Sequence, residues 1–420
     1  MEPGVVIVGA GTAAGELAAK LRQAGYAGAV TLVGAEAHLP YHRPPLSKLF
    51  LAGEVDEDSL LLRPASACDK LDIGFRGNIR VTRIDRAAKA VTLADGSTLP
   101  YQWLVLATGG HARTLSCPGA ELAGVFTLRG IADSRAIRGA MAPGRRLVII
   151  GGGYIGLEVA AIAIKRGLAV TVIEAAPRVL ARVAGAEISA FYEQAHRDAG
   201  VTILTGQSVT ALTPRADPPA GADTAPARHV GAVTLADGTA IPADLVIAGI
   251  GLIPHTELAE AAGLRVQNGI WVDEYCRTED PAILAIGDCA NHPCPFLGRR
   301  VRLESVPNAI EQARVAADTI VGKLNPYTAV PWFWSDQYDL KLQAVGLIDG
   351  HDQVVLRGTY ESRAFLLFYL RAGRLIAADA VNKPGEFLMA RRLVGAAINV
   401  DPARLADITI PLKNSLPQAA

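Results

Sequence analysis

The chain has 420 residues, half of them hydrophobic and 20% charged, with 41 basic against 41 acidic side chains. This composition suits two or three globular domains and excludes a disordered polyelectrolyte. Zero formal charge disfavours generic binding to nucleic acid or anionic membrane, and five cysteines with no C-x-x-C fit a reducing cytoplasm better than a disulfide framework or a zinc site.

The first residues, Met1 to Gly4, carry no basic n-region, so no secretory signal is expected. Val5-Val6-Ile7-Val8 reads as a buried strand. A glycine-rich turn follows, then a helix pattern from Glu16 to Ala24 with Leu17, Ala18 and Leu21 on one face. Val30 to Val33 reads as the next strand, which completes a βαβ unit. Its turn holds Gly9, Gly11 and Ala14, a G-x-G-x-x-A fingerprint. The first glycine permits the tight turn and the second lets backbone approach a pyrophosphate. The small third residue lets helix and strand pack closely. Glu36, past the second strand, is placed to accept from ribose hydroxyls.

Trp103 to Leu106 reads as a strand entering Ala107-Thr108-Gly109-Gly110, after an Asp95-Gly96 hairpin signal. The longest uncharged stretch, Gly96 to Ala112, contains Ser, Thr, Pro and Gln, so no membrane span is expected. The βαβ pattern then recurs. Arg146 to Ile150 is a strand, Leu157 to Arg166 a helix and Ala169 to Ile173 a second strand, around Gly151, Gly153 and Gly156. Glu174 ends that strand, where it can accept from a ribose 2′-OH and repel a 2′-phosphate, which favours NAD. Arg178 and Arg182 lie just beyond, either as phosphate or adenine contacts or as solvated surface.

Residues 213–228 form a Pro/Ala-rich loop, expected to be mobile and without catalytic role. Leu245 to Ala248 enters Gly249-Ile250-Gly251 after an Asp237-Gly238 signal and echoes the earlier strand-to-glycine passage. Each domain is therefore expected to carry a β-meander that returns to its parallel sheet. Ile283 to Ile286 ends in Gly287-Asp288, and Asp288 there can accept from a polyol such as the ribityl chain of a flavin. Cys289 and Cys294 have the spacing of a redox disulfide. In disulfide reductases with two dinucleotide folds that pair follows the first βαβ unit, and Pro40 to Leu51 holds no cysteine, so the pair reads as structural or incidental.

Pro331 to Gln337 holds two of the four tryptophans, which reads equally as core or domain seam and as an aromatic wall beside a cofactor. Beyond it, Lys341–Leu347, Val354–Gly358 and Phe365–Leu370 read as antiparallel strands. A helix runs from Pro384 to near Ile398. No metal-ligand spacing appears among the eight histidines, and there is no serine nucleophile elbow. The expected class is α/β with two Rossmann-like dinucleotide folds and a C-terminal α+β domain. The first fold comprises 1–115 and 250–326, the second 116–249 and the last domain 327–420.

Read in order, Pro40-Tyr41-His42-Arg43-Pro44-Pro45-Leu46-Ser47-Lys48, Ala107-Thr108-Gly109, GGGYIGLE at 151–158, GIG at 249–251, AIGD at 285–288, ESVPNAIEQAR at 304–314 and PWFWSDQYDLKL at 331–342 resemble one family. It is that of the FAD-dependent NADH:ferredoxin reductases serving bacterial cytochrome P450 and aromatic-ring oxygenases, which have a glutathione-reductase-like architecture. The resemblance implies FAD and NADH as cofactors and two-electron input split into single electrons for a [2Fe–2S] ferredoxin. It implies flavin contacts from Arg43, Pro45, Lys48, Ala107, Thr108, Gly109, Arg129, Asp288 and Val306, with Trp334 lining the flavin. Lys48 and Glu158 match an ion pair beside the isoalloxazine. Tyr154 matches the residue gating the nicotinamide, and Ile155 and Gly251 fall with Gly151, Gly153, Gly156, Glu174 and Arg182 on the NAD side. The chain departs from the family at His42, where Asp is frequent, at Val306, where some relatives have Trp, and at Gly110-His111-Ala112-Arg113. An acidic ferredoxin is expected to dock near Arg299, Arg300, Arg302 and Arg314 on a cytoplasmic monomer or homodimer. The alternatives are a rubredoxin reductase and an apoptosis-inducing-factor-like flavoprotein with a signalling or structural role.

Overall fold

The structure is a computed structural model that describes residues 3–215 and 228–414. Most of the Pro/Ala-rich loop expected at 213–228 lies outside the described residues. Contacts divide the chain into two units. One comprises Met1–Arg43, Glu57–His111 and Ile253–Phe333, the other Pro44–Asp56, Ala112–Leu252 and Trp334–Ala420.

In the first unit a parallel sheet carries strands in the order Ile73–Arg76, Val30–Val33, Gly4–Val8, Thr98–Leu106. Ile283–Ala285 adds to it in parallel beside Leu104 to Leu106. Strand Gly4–Val8 is buried along its whole length, as a continuous apolar run in a parallel sheet must be. The first crossover helix, Thr12–Gln23, starts four residues before the apolar periodicity does, because Gly11 is its N-cap and the fingerprint itself forms the first turn. Ala14, Leu17 and Leu21 pack in one core with Ala313, Ala316 and Ile320 of helix Val306–Ile320. The expected meander is present. Val81–Asp85, Ala90–Leu93 and Thr98–Leu106 run antiparallel, and the last strand continues into the parallel sheet.

The second unit repeats the plan. Its parallel sheet runs Thr202–Thr205, Ala169–Glu174, Arg146–Ile150, Leu245–Ala248, Val125–Thr127. The second crossover helix spans Tyr154–Lys165, again with the fingerprint glycine, Gly153, as N-cap. A three-stranded meander covers one face, and Leu212 and Val233 pack there on Val148, Ile173 and Val246. A five-stranded antiparallel sheet forms the C-terminal part, in the order Trp332–Gln337, Leu340–Gly346, Arg374–Val381, Phe365–Arg371, Gln353–Arg357. Helix Pro384–Ala396 follows it. Buried Arg357 ties down the chain end through the carbonyls of Leu405, Asp407 and Ile410 and the Glu386 carboxylate.

Pro44–Asp56 groups with the second unit rather than with the segments that flank it in sequence. Side chains explain this. Ser134 donates to the Leu46 carbonyl at 2.8 Å, and the Arg138 guanidinium lies over the Phe50 ring.

Candidate active site

In the first unit, the fingerprint turn and the acid beyond the second strand are each fixed by local geometry. Gly9 has φ +120, and a Cβ there would lie 2.1 Å from the Ala107 carbonyl oxygen, so only glycine fits. Gly11 faces open space, and the helix it starts has no side-chain cap and no acid in its first turn. Its first N–H groups therefore lack intrahelical partners and face open space, an arrangement suited to an anionic group. Glu36 is held by Arg43 at 2.6 Å and by the Tyr41 hydroxyl at 2.7 Å. Burial works against its charge, but these two partners outweigh it and keep the carboxyl below its usual range.

Gly287-Asp288-Cys289 forms a single 3-10 turn after strand Ile283–Ala285. The Gly287 N–H donates to Gln312 Oε1 at 2.6 Å. Gln312 is fully buried, and its Nε2 finds no partner among the described residues, which leaves a donor at this turn. Thr108 donates to the His255 carbonyl at 2.7 Å and so ties the Ala107-Thr108-Gly109 passage to the start of the unit's last segment. Val306 opens its helix behind the N-cap Ser305.

Of the arginines expected to meet a partner, two are turned inward. Arg300 donates to the carbonyls of Val272 and Asn291 and stacks on Trp271 at 3.5 Å. Arg302 pairs with Glu304 at 2.7 Å and donates to the Asp288 carbonyl at 3.1 Å. Arg314 is half-exposed, between Glu311 and Asp318. Arg299 is exposed.

The second unit carries the matching cradle. Gly151 has φ +108, and a Cβ would lie 2.4 Å from the Gly249 carbonyl oxygen. At Gly156 it would meet the Gly151 oxygen at 2.3 Å, while Gly153 faces open space. Glu174 accepts from the N–H groups of Gly152 and Ala176, each at 2.7 Å. The acid at the strand end thus shapes the glycine turn, with lone pairs to spare for a ribose. Arg178 belongs to the scaffold, since its guanidinium donates to Ala181, Ala184 and Ser189. Arg182 is exposed and lies alongside Gly251.

Lys48 and Glu158 form a buried ion pair at 2.8 Å. Two serines that sequence reasoning passed over complete it. Ser47 donates to Glu158 Oε2 at 2.5 Å and Ser335 to Oε1 at 2.6 Å. Each stands inside a motif already singled out, RPPLSK and WFWSDQ, and that adjacency was the available signal. The segment of two tryptophans is a strand, with Trp334 half-buried and Ser335 fully buried. Tyr154 is half-buried at the start of the crossover helix, and burial of its hydroxyl first and then the charge of Asp379 push that hydroxyl's pKa well up. All five cysteines are free, and Cys289 and Cys294 are both buried. Among the described residues, no group of His, Cys, Asp or Glu is placed to hold a metal, and no helix is long and apolar enough to cross a membrane.

Two uncapped helix starts, each behind a strand-to-glycine turn with an acid nearby, define an oxidoreductase that handles two dinucleotides. The chain belongs to the pyridine nucleotide-disulphide oxidoreductase family, whose signature matches residues 3–313, and a reductase C-terminal domain matches residues 332–416. The cofactors of this family are FAD and NAD(P)H. The chain is 46% identical to putidaredoxin reductase CamA of Pseudomonas putida over 418 residues, 99% of this chain and 97% of the relative. It is 47% identical to the ferredoxin reductase subunit of a 5,5′-dehydrodivanillate O-demethylase from a Sphingobium strain, over 97% of each chain. Among solved structures, the covalent putidaredoxin reductase–putidaredoxin complex superposes with a TM-score of 0.93 at 46% identity, covering 98% of each chain.

Proposed function

We propose that this protein is an NADH:ferredoxin reductase, taking electron pairs from NADH and delivering them singly to a [2Fe–2S] ferredoxin that supplies a cytochrome P450 or ring-hydroxylating oxygenase. The observation that carries this reading is the end-to-end likeness, in sequence and fold, to a reductase captured with its redox partner. The division into FAD segments 1–115 and 250–326, an NAD segment 116–249 and a C-terminal domain 327–420 belongs to the same reading.

The glycine cradles fit two dinucleotides. On the FAD side, Gly9, Gly11 and Ala14 make room for a pyrophosphate, and Glu36, steadied by Arg43, takes ribose hydroxyls. Asp288 takes the ribityl chain, with Ala107, Thr108, Gly109, Arg129 and Val306 as further contacts. On the NAD side, Gly151, Gly153, Ile155, Gly156 and Gly251 make the cradle. Glu174 disfavours a 2′-phosphate and Arg182 binds from the surface. FAD, when bound, supplies the conversion of a two-electron input to one-electron outputs. Lys48 brings positive charge to the site of reduction and Glu158 fixes it. Tyr154 gates the nicotinamide, and Trp334 lines the flavin. No acid–base dyad is required, because hydride transfer depends on alignment.

The ferredoxin docks near exposed Arg299 and half-exposed Arg314, whose pairing with Glu311 and Asp318 gives way to the partner's acids, while Arg300 and Arg302 stay turned inward. Arg314→Glu should raise KM for a [2Fe–2S] ferredoxin several-fold and weaken its salt dependence, while reduction of ferricyanide by NADH stays unchanged. Equal effects on both acceptors would remove this face from the account.

A further inference from the structure

The Glu158 carboxylate ends a longer line of hydrogen bonds. Ser335, which donates to Oε1, accepts in turn from Gln337 Nε2 at 3.2 Å, two residues further along the same strand. Gln337 Oε1 lies 2.8 Å from Nε2 of His196, on helix Ala186–Asp198. His196 Nδ1 lies 2.9 Å from the Tyr338 hydroxyl. Ser335, Gln337 and His196 are each exposed by 1% or less, so water does not compete for these groups.

The directions follow from what each group can give. A carboxylate with an ammonium and two hydroxyls on it accepts only, so the single Ser335 proton goes to Glu158. Ser335 then accepts from the Gln337 amide, which turns Oε1 toward His196. That oxygen also accepts only, so His196 carries its proton on Nε2. Burial lowers the His196 pKa, so the ring holds that one proton at neutral pH and Nδ1 accepts from Tyr338. Every donor in the line points toward Glu158, and bonds aligned head to tail strengthen one another. Tyr338 holds φ +56, an uncommon backbone for a bulky residue, and its ring packs edge-on to His196 at 5.0 Å. An apolar trio would fill this space without any need to satisfy buried polar atoms.

We propose that His196, Gln337 and Ser335 act as one positioning relay for the Glu158–Lys48 ion pair, so that a histidine outside both glycine fingerprints governs the NADH-linked step. The proposal rests on the role given to that pair under Proposed function. Its first test uses the unaltered holoenzyme. Nitrogen-15 NMR at pH 7 should find His196 as the neutral Nε2–H tautomer, and a cationic ring or an Nδ1–H tautomer overturns the relay. The second test is rapid-mixing reduction of the FAD-loaded protein by NADH. His196→Phe and Ser335→Ala should each slow reduction about tenfold with FAD still bound, and His196→Gln, which keeps the donor, should recover most of the rate. Ser335→Ala serves where His196→Phe fails to fold. If Glu158→Gln slows reduction but neither relay variant changes it by twofold, the relay falls and the role of the pair stands. If Glu158→Gln is also silent, the role of the pair fails and the relay with it.

Discussion

Glu158 shows how much a single side chain can be asked to hold. It is 5% exposed, and Lys48, Ser47 and Ser335 all meet its two oxygens. Removing its charge leaves the Lys48 ammonium buried without a counter-ion, a loss of the costly kind. Glu158→Ala should keep FAD bound and slow single-turnover reduction by NADH about tenfold or more. An unchanged rate would remove the ion pair from the account. Asp379 is the other buried acid among the described residues. Burial first, with Glu187 adding, raises its pKa from 3.8 to about 7, against the hydrogen bond from Tyr369 at 2.8 Å. The folded chain thus holds this proton more tightly than the unfolded one. The stabilising effect is full below pH 3.8 and is lost as pH rises to about 7. The slope is at most ~1.4 kcal/mol per pH unit. Asp379→Asn should therefore lose much of the fall in Tm that the parent shows between pH 5 and pH 8. Identical pH profiles for the two proteins would contradict the assignment.

At the scale of elements, the glycine turns are the least forgiving parts. A methyl at Gly9 would strike the Ala107 carbonyl, and the φ of +120 is strained for any L side chain. Gly9→Ala should cost on the order of 3 kcal/mol and abolish FAD retention. A stable, FAD-loaded variant would mean that the turn has room the geometry denies. These turns were legible in the sequence because they combine a buried strand, a fixed glycine spacing and an amphipathic helix. Helix starts were read late, at Glu16 and Leu157 rather than Thr12 and Tyr154, since glycines in a first turn carry no periodicity. The strand Trp332–Gln337 was not legible as a strand. Its three aromatics are consecutive and half-buried, while the fully buried positions are the polar Ser335 and Gln337, so no apolar alternation marks it. The relay to His196 was hidden for a plainer reason. It joins side chains 141 and 177 residues apart, and only the packed chain brings them together.

For the whole molecule, the recurrence of one βαβ plan foretold two dinucleotide folds, and the structure carries both sheets with the expected meanders. The placement of Pro44–Asp56 with the second unit was not legible, because it depends on individual hydrogen bonds such as Ser134 to Leu46. The basic patch at 299–302 also looked larger in sequence than in space, since Arg300 and Arg302 spend their donors inside the protein. The central claim is the transfer of electrons from NADH to a [2Fe–2S] ferredoxin, and steady-state turnover of the FAD-loaded protein tests it most directly. With a purified [2Fe–2S] ferredoxin as acceptor, the account predicts rapid reduction driven by NADH and a kcat/KM for NADPH lower by tenfold or more. Reduction of small acceptors by NADH with no transfer to any [2Fe–2S] ferredoxin would contradict it.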